Sequence, residues 1–306
     1  MVNSQPIRGF VAAPFTAMHA DRSINIDVIP AYAAHLVASG VSGTFVNGTA
    51  GEGYSLTREE RMATAEAWVR STAGKLRVIV HVGAESVVDA TALAAHAEDI
   101  GADAIGSMAP VFFKPDVDGL IAYCAGIAAA APALPFYYYY MPSMTGSFFS
   151  VVDLLARSAD RIPTLRGVKY THYDLMDFKR CAALSDGRFD LLFGRDEILL
   201  SALVLGAEGM VGSTYSYAMP LFSDLLAAYR AGRLPEASAI QERVMRMVGI
   251  LERNGGGVVA GKALMAGVGL ELGPPRLPNR SVESADTAKA IEEARGLGVF
   301  GAGVGR

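Results

Sequence analysis

Eight short apolar runs that alternate with longer helical patterns predict an α/β fold, a (β/α)8 TIM barrel with a C-terminal helical extension. Most of the runs are continuously apolar instead of alternating, as strands are when helices cover both faces of a parallel sheet. The 306-residue length suits one barrel of about 250 residues plus an extension. A doubly wound open sheet would place a glycine-rich turn after its first strand, and Ala12, Ala13, Pro14, Phe15 and Thr16 provide none.

The first strand is read at 10–16 (FVAAPFT) and the second at 43–47 (GTFVN). Thr57 precedes Arg58, Glu59 and Glu60, an N-cap with Glu at the third helical position, and Met62, Ala65, Ala67 and Trp68 follow at helical spacing. Strands three and four are read at 77–82 (RVIVHV) and 104–110 (AIGSMAP), and Asp116, after Pro115, opens the next helix. The remaining strands are read at 135–140 (PFYYYY), 165–170 (LRGVKY), 190–194 (DLLFG) and 209–213 (GMVGS). From about Pro220 the pattern is helical only: Leu221, Leu225, Leu226 and Tyr229 share a face, then Ile240, Val244, Met247, Val248 and Leu251. Asn254 with Gly255, Gly256 and Gly257 reads as a stop, and further helices are expected at 258–268 and 286–297. The barrel is therefore assigned to 1–220 and the helical region to 221–306, with Gly301, Gly303 and Gly305 marking a flexible tail.

Composition narrows the function classes. With 51% hydrophobic residues and 19% charged, the chain is not of the disordered type. Its two cysteines, Cys124 and Cys181, are no disulfide framework in a chain able to bury its own core. A net charge of −4 gives no electrostatic footprint for nucleic acid. The first ten residues lack the apolar core of a secretory signal. The uncharged stretch 124–149 is broken by Pro132, Pro135 and Pro142 and carries four consecutive tyrosines, which excludes it as a membrane span. The expectation is a cytoplasmic protein with a small-molecule substrate. The five histidines show no metal-binding spacing and the cysteines stand 57 apart, so no metal is expected.

In such a barrel, chemistry sits at the carboxyl ends of the strands. The second strand runs into Asn47, Gly48, Thr49, Ala50, Gly51, Glu52 and Gly53, either an anion-binding nest of backbone N–H groups with the Thr49 hydroxyl or an ordinary glycine-rich turn. Along the fifth strand, alternation sends Tyr137 and Tyr139 to one face and Tyr138 and Tyr140 to the other, so one pair faces the interior. The sixth strand ends in Lys169, an amine on an otherwise apolar interior strand; the other five lysines, Lys75, Lys114, Lys179, Lys262 and Lys289, are read as open to solvent. Burial without a dedicated anion lowers a lysine pKa, as a Schiff-base lysine requires, whereas an ion pair, for instance with Asp196, would make Lys169 structural. The seventh strand ends in Gly194, Arg195, Asp196 and Glu197 and the eighth in Ser213, Thr214 and Tyr215. The two carboxylates suit a polyol, with helix capping by Asp196 as the alternative.

Three stretches in this order, Gly48–Glu52 (GTAGE), Tyr139–Pro142 (YYMP) and Gly167–Lys169 (GVK), resemble the dihydrodipicolinate synthase and N-acetylneuraminate lyase family of pyruvate-dependent class I aldolases. The resemblance runs from about Gly9 to about Pro220. It implies a barrel with C-terminal helices, a homotetramer, and a covalent imine on Lys169 in place of any cofactor. It further implies that Tyr139 transfers protons and that Thr49 with the backbone around Ala50 holds the substrate carboxylate. Many members carry Thr or Ser at the Ala50 position. Met144, Phe112 and Phe113 occupy places where the synthase branch is expected to have an arginine and a tyrosine. The stretches 137–146, 193–201 and 212–217 instead resemble the sialic acid lyase branch, in which Gly194, Asp196, Glu197 and Ser213 would bind the sugar hydroxyls and Thr171 would lie near the reacting C4 hydroxyl. The expected activity is cleavage of N-acetylneuraminate to pyruvate and N-acetylmannosamine. Another 2-oxo acid aldolase, a synthase or a dehydratase on the same scaffold, or a non-catalytic ligand-binding relative, are the alternatives.

Overall fold

The apolar runs form eight short parallel strands, β1 (Gly9–Ala12), β2 (Gly43–Val46), β3 (Arg77–His81), β4 (Ala104–Ser107), β5 (Phe136–Tyr140), β6 (Leu165–Tyr170), β7 (Asp190–Phe193) and β8 (Gly209–Gly212). Each pairs with the next, and β8 returns to β1 to close the barrel. This computed structural model describes residues 5–184 and 188–301; of the three tail glycines, Gly303 and Gly305 lie outside the described residues. The connecting helices are α1 (Ile29–Ala38), α2 (Arg58–Thr72), α3 (Val87–Asp99), α4 (Val117–Ala129), the single turn α5 (Pro142–Thr145), α6 (Val151–Ser158), α7 (Leu175–Ala183) and α8 (Leu199–Val204). They are followed by α9 (Met219–Arg230), α10 (Leu234–Arg253), α11 (Gly256–Leu264) and α12 (Ser284–Gly296). Among the described residues no helix is long and apolar enough to cross a membrane.

Local signals in the chain account for the boundaries. Thr57 accepts from the Glu60 N–H while the Glu60 side chain returns to the Thr57 N–H, so the capping box that starts α2 is complete. Asp116 likewise caps α4 through the Gly119 N–H. Two strands are shorter than their apolar runs by more than one residue. β1 stops at Ala12 because Pro14 has no N–H with which to extend the ladder, and β4 stops at Ser107, after which the Met108 N–H turns to His81 Nε2 at 3.4 Å. The stop falls at the expected place, with α10 ending at Arg253 and Asn254 as its cap, but Gly256 and Gly257 already belong to the next helix. Gly255 and Gly256, at φ 93° and 87°, make the break, and α11 is counted from Gly256; it runs to Leu264 and tightens into a 3-10 turn over Met265–Val268.

The pleat of β5 settles which tyrosines enter the barrel. Tyr137 and Tyr139 point inward, Tyr137 to a hydrogen bond with Asp190 Oδ2 at 2.8 Å. Tyr138 and Tyr140 point outward, where both rings pack on Phe149 and the Tyr140 hydroxyl reaches the Phe149 carbonyl at 3.1 Å.

Candidate active site

Lys169 stands opposite Tyr139 in the β5–β6 ladder and is 4% exposed. Its Nζ lies 3.9 Å from the centroid of the Tyr139 ring and 4.1 Å from that of Phe45 on β2. Ring faces attract an ammonium but do not replace its hydration or a carboxylate. Among the described residues, the lysines in ion pairs are Lys262 and Lys289, not Lys169. Burial pulls the Lys169 pKa below the ordinary lysine value, with Tyr139 and the more distant Asp196 opposing the shift. The result is an amine held closer to its neutral form.

The Tyr139 hydroxyl lies 3.3 Å from Thr49 Oγ1 and donates to Met141 Sδ at 3.0 Å. The geometry therefore unites three of the residues read from sequence, Thr49, Tyr139 and Lys169, and adds two, Phe45 and Met141. Met141 was legible only as the residue that leaves β5 ahead of Pro142.

The loop after β2 is tightly wound. Asn47 and Glu52 adopt left-handed φ of 60° and 56°, and a Cβ on Gly53 would lie 1.9 Å from the Asn47 carbonyl oxygen, so glycine is required there. Asn47 Nδ2 donates to the Arg61 carbonyl at 2.8 Å, and Thr16 donates to the Gly51 carbonyl at 2.7 Å. Ala50 is buried on the cavity wall beside Thr49. Glu52 turns away from the cavity and is buried against Lys262, with Nζ 3.0 Å from Oε1. This corrects the reading of Lys262 as solvated: it is 2% exposed, because the segment after α11 folds over it and the Pro274 carbonyl accepts from it at 2.7 Å.

The opposite wall comes from β6, β7 and β8. Asp196 is 9% exposed; its Oδ2 accepts from Thr214 Oγ1 at 2.5 Å, while Oδ1 has no partner among the described residues. It does not cap a helix, since the short 3-10 turn it begins has no side-chain cap. Burial raises the Asp196 pKa to about 6, with Thr214 and Tyr215 acting in the other direction. Thr171 is buried with its hydroxyl unpartnered among the described residues, and a Cβ on Gly194 would lie 2.2 Å from that oxygen, so Gly194 is what makes room for it. Glu197 accepts from the Tyr173 hydroxyl at 2.6 Å and stands 3.5 Å from the Arg195 guanidinium, which covers the Tyr173 ring. Ser213 lies on the same wall, whereas His172 packs among Tyr140, Phe148 and Tyr170.

These groups surround one cavity of about 310 Å³ at the carboxyl end of the barrel. Every residue assigned to the site from sequence lines it. So do Val248, Leu251 and Glu252 of α10 and Gly257 and Val258 of α11, which no strand-end reading could find. At one end the cavity offers an amine, two hydroxyls and the loop after β2; at the other it offers carboxylate and hydroxyl oxygens. That is an arrangement for a carbonyl compound with a polyhydroxylated tail.

A family model described as the dihydrodipicolinate synthetase family matches residues 6–294. The chain is 46% identical over 296 residues to the N-acetylneuraminate lyase of Mus musculus, covering 95% of this chain and 92% of that protein. Its fold is similar to the structure of Proteus mirabilis N-acetylneuraminate lyase, with a TM-score of 0.94, 38% identity, and coverage of 97% of this chain and 100% of that one. It is also similar to a structure described as a Ruminococcus gnavus sialic acid aldolase catalytic lysine mutant, with a TM-score of 0.90, 28% identity and coverage of 97% of each chain.

Proposed function

The chain belongs to the dihydrodipicolinate synthetase family, and from that premise we propose that it is a class I aldolase cleaving N-acetylneuraminate to pyruvate and N-acetylmannosamine. The observation that carries the chemistry is Lys169, a buried amine without a carboxylate partner among the described residues, at the inner end of a cavity whose outer wall is lined with acceptors for hydroxyls. The likeness to N-acetylneuraminate lyases supports the choice of sugar acid.

In this reading the neutral Lys169 amine adds to the C2 carbonyl of the open-chain substrate, and loss of water leaves an iminium. Removal of the C4 hydroxyl proton breaks the C3–C4 bond. The oxygen electrons become the aldehyde of N-acetylmannosamine, and the bond pair flows to the iminium as the enamine of pyruvate. Protonation at C3 and addition of water release pyruvate and restore the amine. Tyr139, hydrogen-bonded to Thr49, is the group assigned to the C4 proton. Thr49 and the backbone around Ala50 receive the carboxylate, Thr171 meets the C4 oxygen, and Gly194, Asp196, Glu197 and Ser213 receive the sugar chain. We assign no cofactor beyond the imine. We also assign a homotetramer in the cytoplasm, an assembly that light scattering would report as a four-subunit mass. The exposed Phe112 and Phe113, which have no hydroxyl, speak against a synthase that needs a tyrosine there.

The test is pyruvate release from a panel of sugar acids. Turnover of N-acetylneuraminate well above that of 3-deoxy-2-oxo sugar acids lacking the N-acetyl group is expected, and activity confined to the latter would reject the substrate assignment.

A further inference from the structure

The proposed reaction uses Lys169, yet the chain buries Lys262 equally deeply. Lys262, on α11, is 2% exposed and faces Glu52, 5% exposed. Glu52 Oε1 accepts from Lys262 Nζ at 3.0 Å, and Oε2 accepts from the Arg276 backbone N–H at 2.7 Å. The Arg276 guanidinium in turn donates to Glu60, the residue that closes the α2 capping box, and to the Arg22 carbonyl at 2.6 Å. Taking two charges out of water costs enough that a well-packed apolar pair of the same volume is often as stable, so stability alone does not account for this pair.

Both of its ends lead to the cavity. Glu52 follows Thr49, Ala50 and Gly51 directly and holds a left-handed φ of 56°. Lys262 lies four residues after Val258, so it is one turn along the same face of α11 from a residue that lines the cavity. We propose that the Lys262–Glu52 pair is a positioning device. It fixes the loop after β2, with its donors for the substrate carboxylate, against a helix that walls the cavity, so that affinity for the 2-oxo acid depends on it. This inference rests on the Schiff-base reading above.

Either single neutralisation leaves an unpaired buried charge and perturbs folding. The informative variant is the double Glu52→Gln/Lys262→Met, which removes both charges at nearly constant volume. Its thermal midpoint is expected close to that of the unmutated protein. The pyruvate concentration that half-saturates borohydride trapping of Lys169 is expected to rise about tenfold, and KM for the sugar acid to change more than kcat. Glu52→Asp keeps the charge and withdraws it by one methylene, so a smaller rise in half-saturation is expected. Unchanged half-saturation in the folded double variant overturns the proposal. If the double variant does not fold, unchanged half-saturation in Glu52→Asp overturns it instead. Failure of pyruvate to trap Lys169 in the unmutated protein is a separate result, and it removes the Schiff-base reading itself.

Discussion

Tyr139 and Lys169 are cross-strand partners in the β5–β6 ladder, and the Lys169 Nζ rests 3.9 Å from the centre of the Tyr139 ring. Adjacent parallel strands thus deliver a proton-transfer group and a nucleophile to one spot without any loop having to place them. The ring also covers the amine, so the same pairing that positions Lys169 keeps water from it.

Burial lowers the Lys169 pKa, which fixes the sign of two pH effects. The neutral fraction grows as pH rises through the folded-state pKa, so kcat/KM should rise along a limb whose midpoint falls below 10.5. The unfolded chain binds that proton more tightly than the folded one, so Lys169 costs stability at neutral pH and ceases to do so above its unfolded value. Lys169→Met should therefore have a higher thermal midpoint than the unmutated protein at pH 7, with the advantage fading above the ordinary lysine pKa of 10.5.

Tyr139→Phe keeps the ring over Lys169 and removes the hydroxyl that meets Thr49 and Met141. kcat for sugar-acid cleavage should fall by about a hundredfold, the scale of one general acid–base group. Borohydride trapping with pyruvate should persist, and loss of trapping would place Tyr139 in imine formation as well.

Burial raises the Asp196 pKa to about 6. A raised carboxyl pKa contributes stability below the unfolded value of 3.8, lost as pH climbs through about 6. Asp196→Asn should therefore melt above the unmutated protein at pH 8 and lose that advantage at pH 4, while its KM for the sugar acid rises. Equal melting differences at both pH values would contradict the assignment of a buried, raised carboxyl.

Gly194→Ala would place a Cβ 2.2 Å from Thr171 Oγ1. Overpacking of this kind costs about 1–3 kcal/mol, so a lowered thermal midpoint and weaker sugar-acid turnover are expected. Thr171→Ala in the same chain should recover part of the stability but not the turnover.

Much of this was legible in the chain. Runs such as 78–80 (VIV), apolar on both faces, carry the signal of a strand covered by helices, and reading the ends of β2, β5, β6, β7 and β8 found the groups that share the cavity. What was not legible depends on contacts distant in sequence. The C-terminal helices read as an appendage because nothing in Val248, Leu251 or Val258 announces that α10 and α11 fold over the barrel mouth. Lys262 read as solvated because a lysine in a glycine-rich helix looks exposed until Glu52, 210 residues earlier, is brought against it. Asp196 fitted a helix cap equally well until Thr214 on the next loop claimed its oxygen.

Lys169 is assigned as the residue that forms the imine, and reductive trapping reads that bond itself. The protein is incubated with pyruvate and borohydride, digested, and mapped by mass spectrometry, with Lys169→Ala as the control. A single adduct is expected on the peptide bearing Lys169, with loss of sugar-acid cleavage in proportion to it, and neither adduct nor activity in the variant. Continued pyruvate release with no adduct, or with the adduct on Lys262 or another lysine, would contradict the assignment.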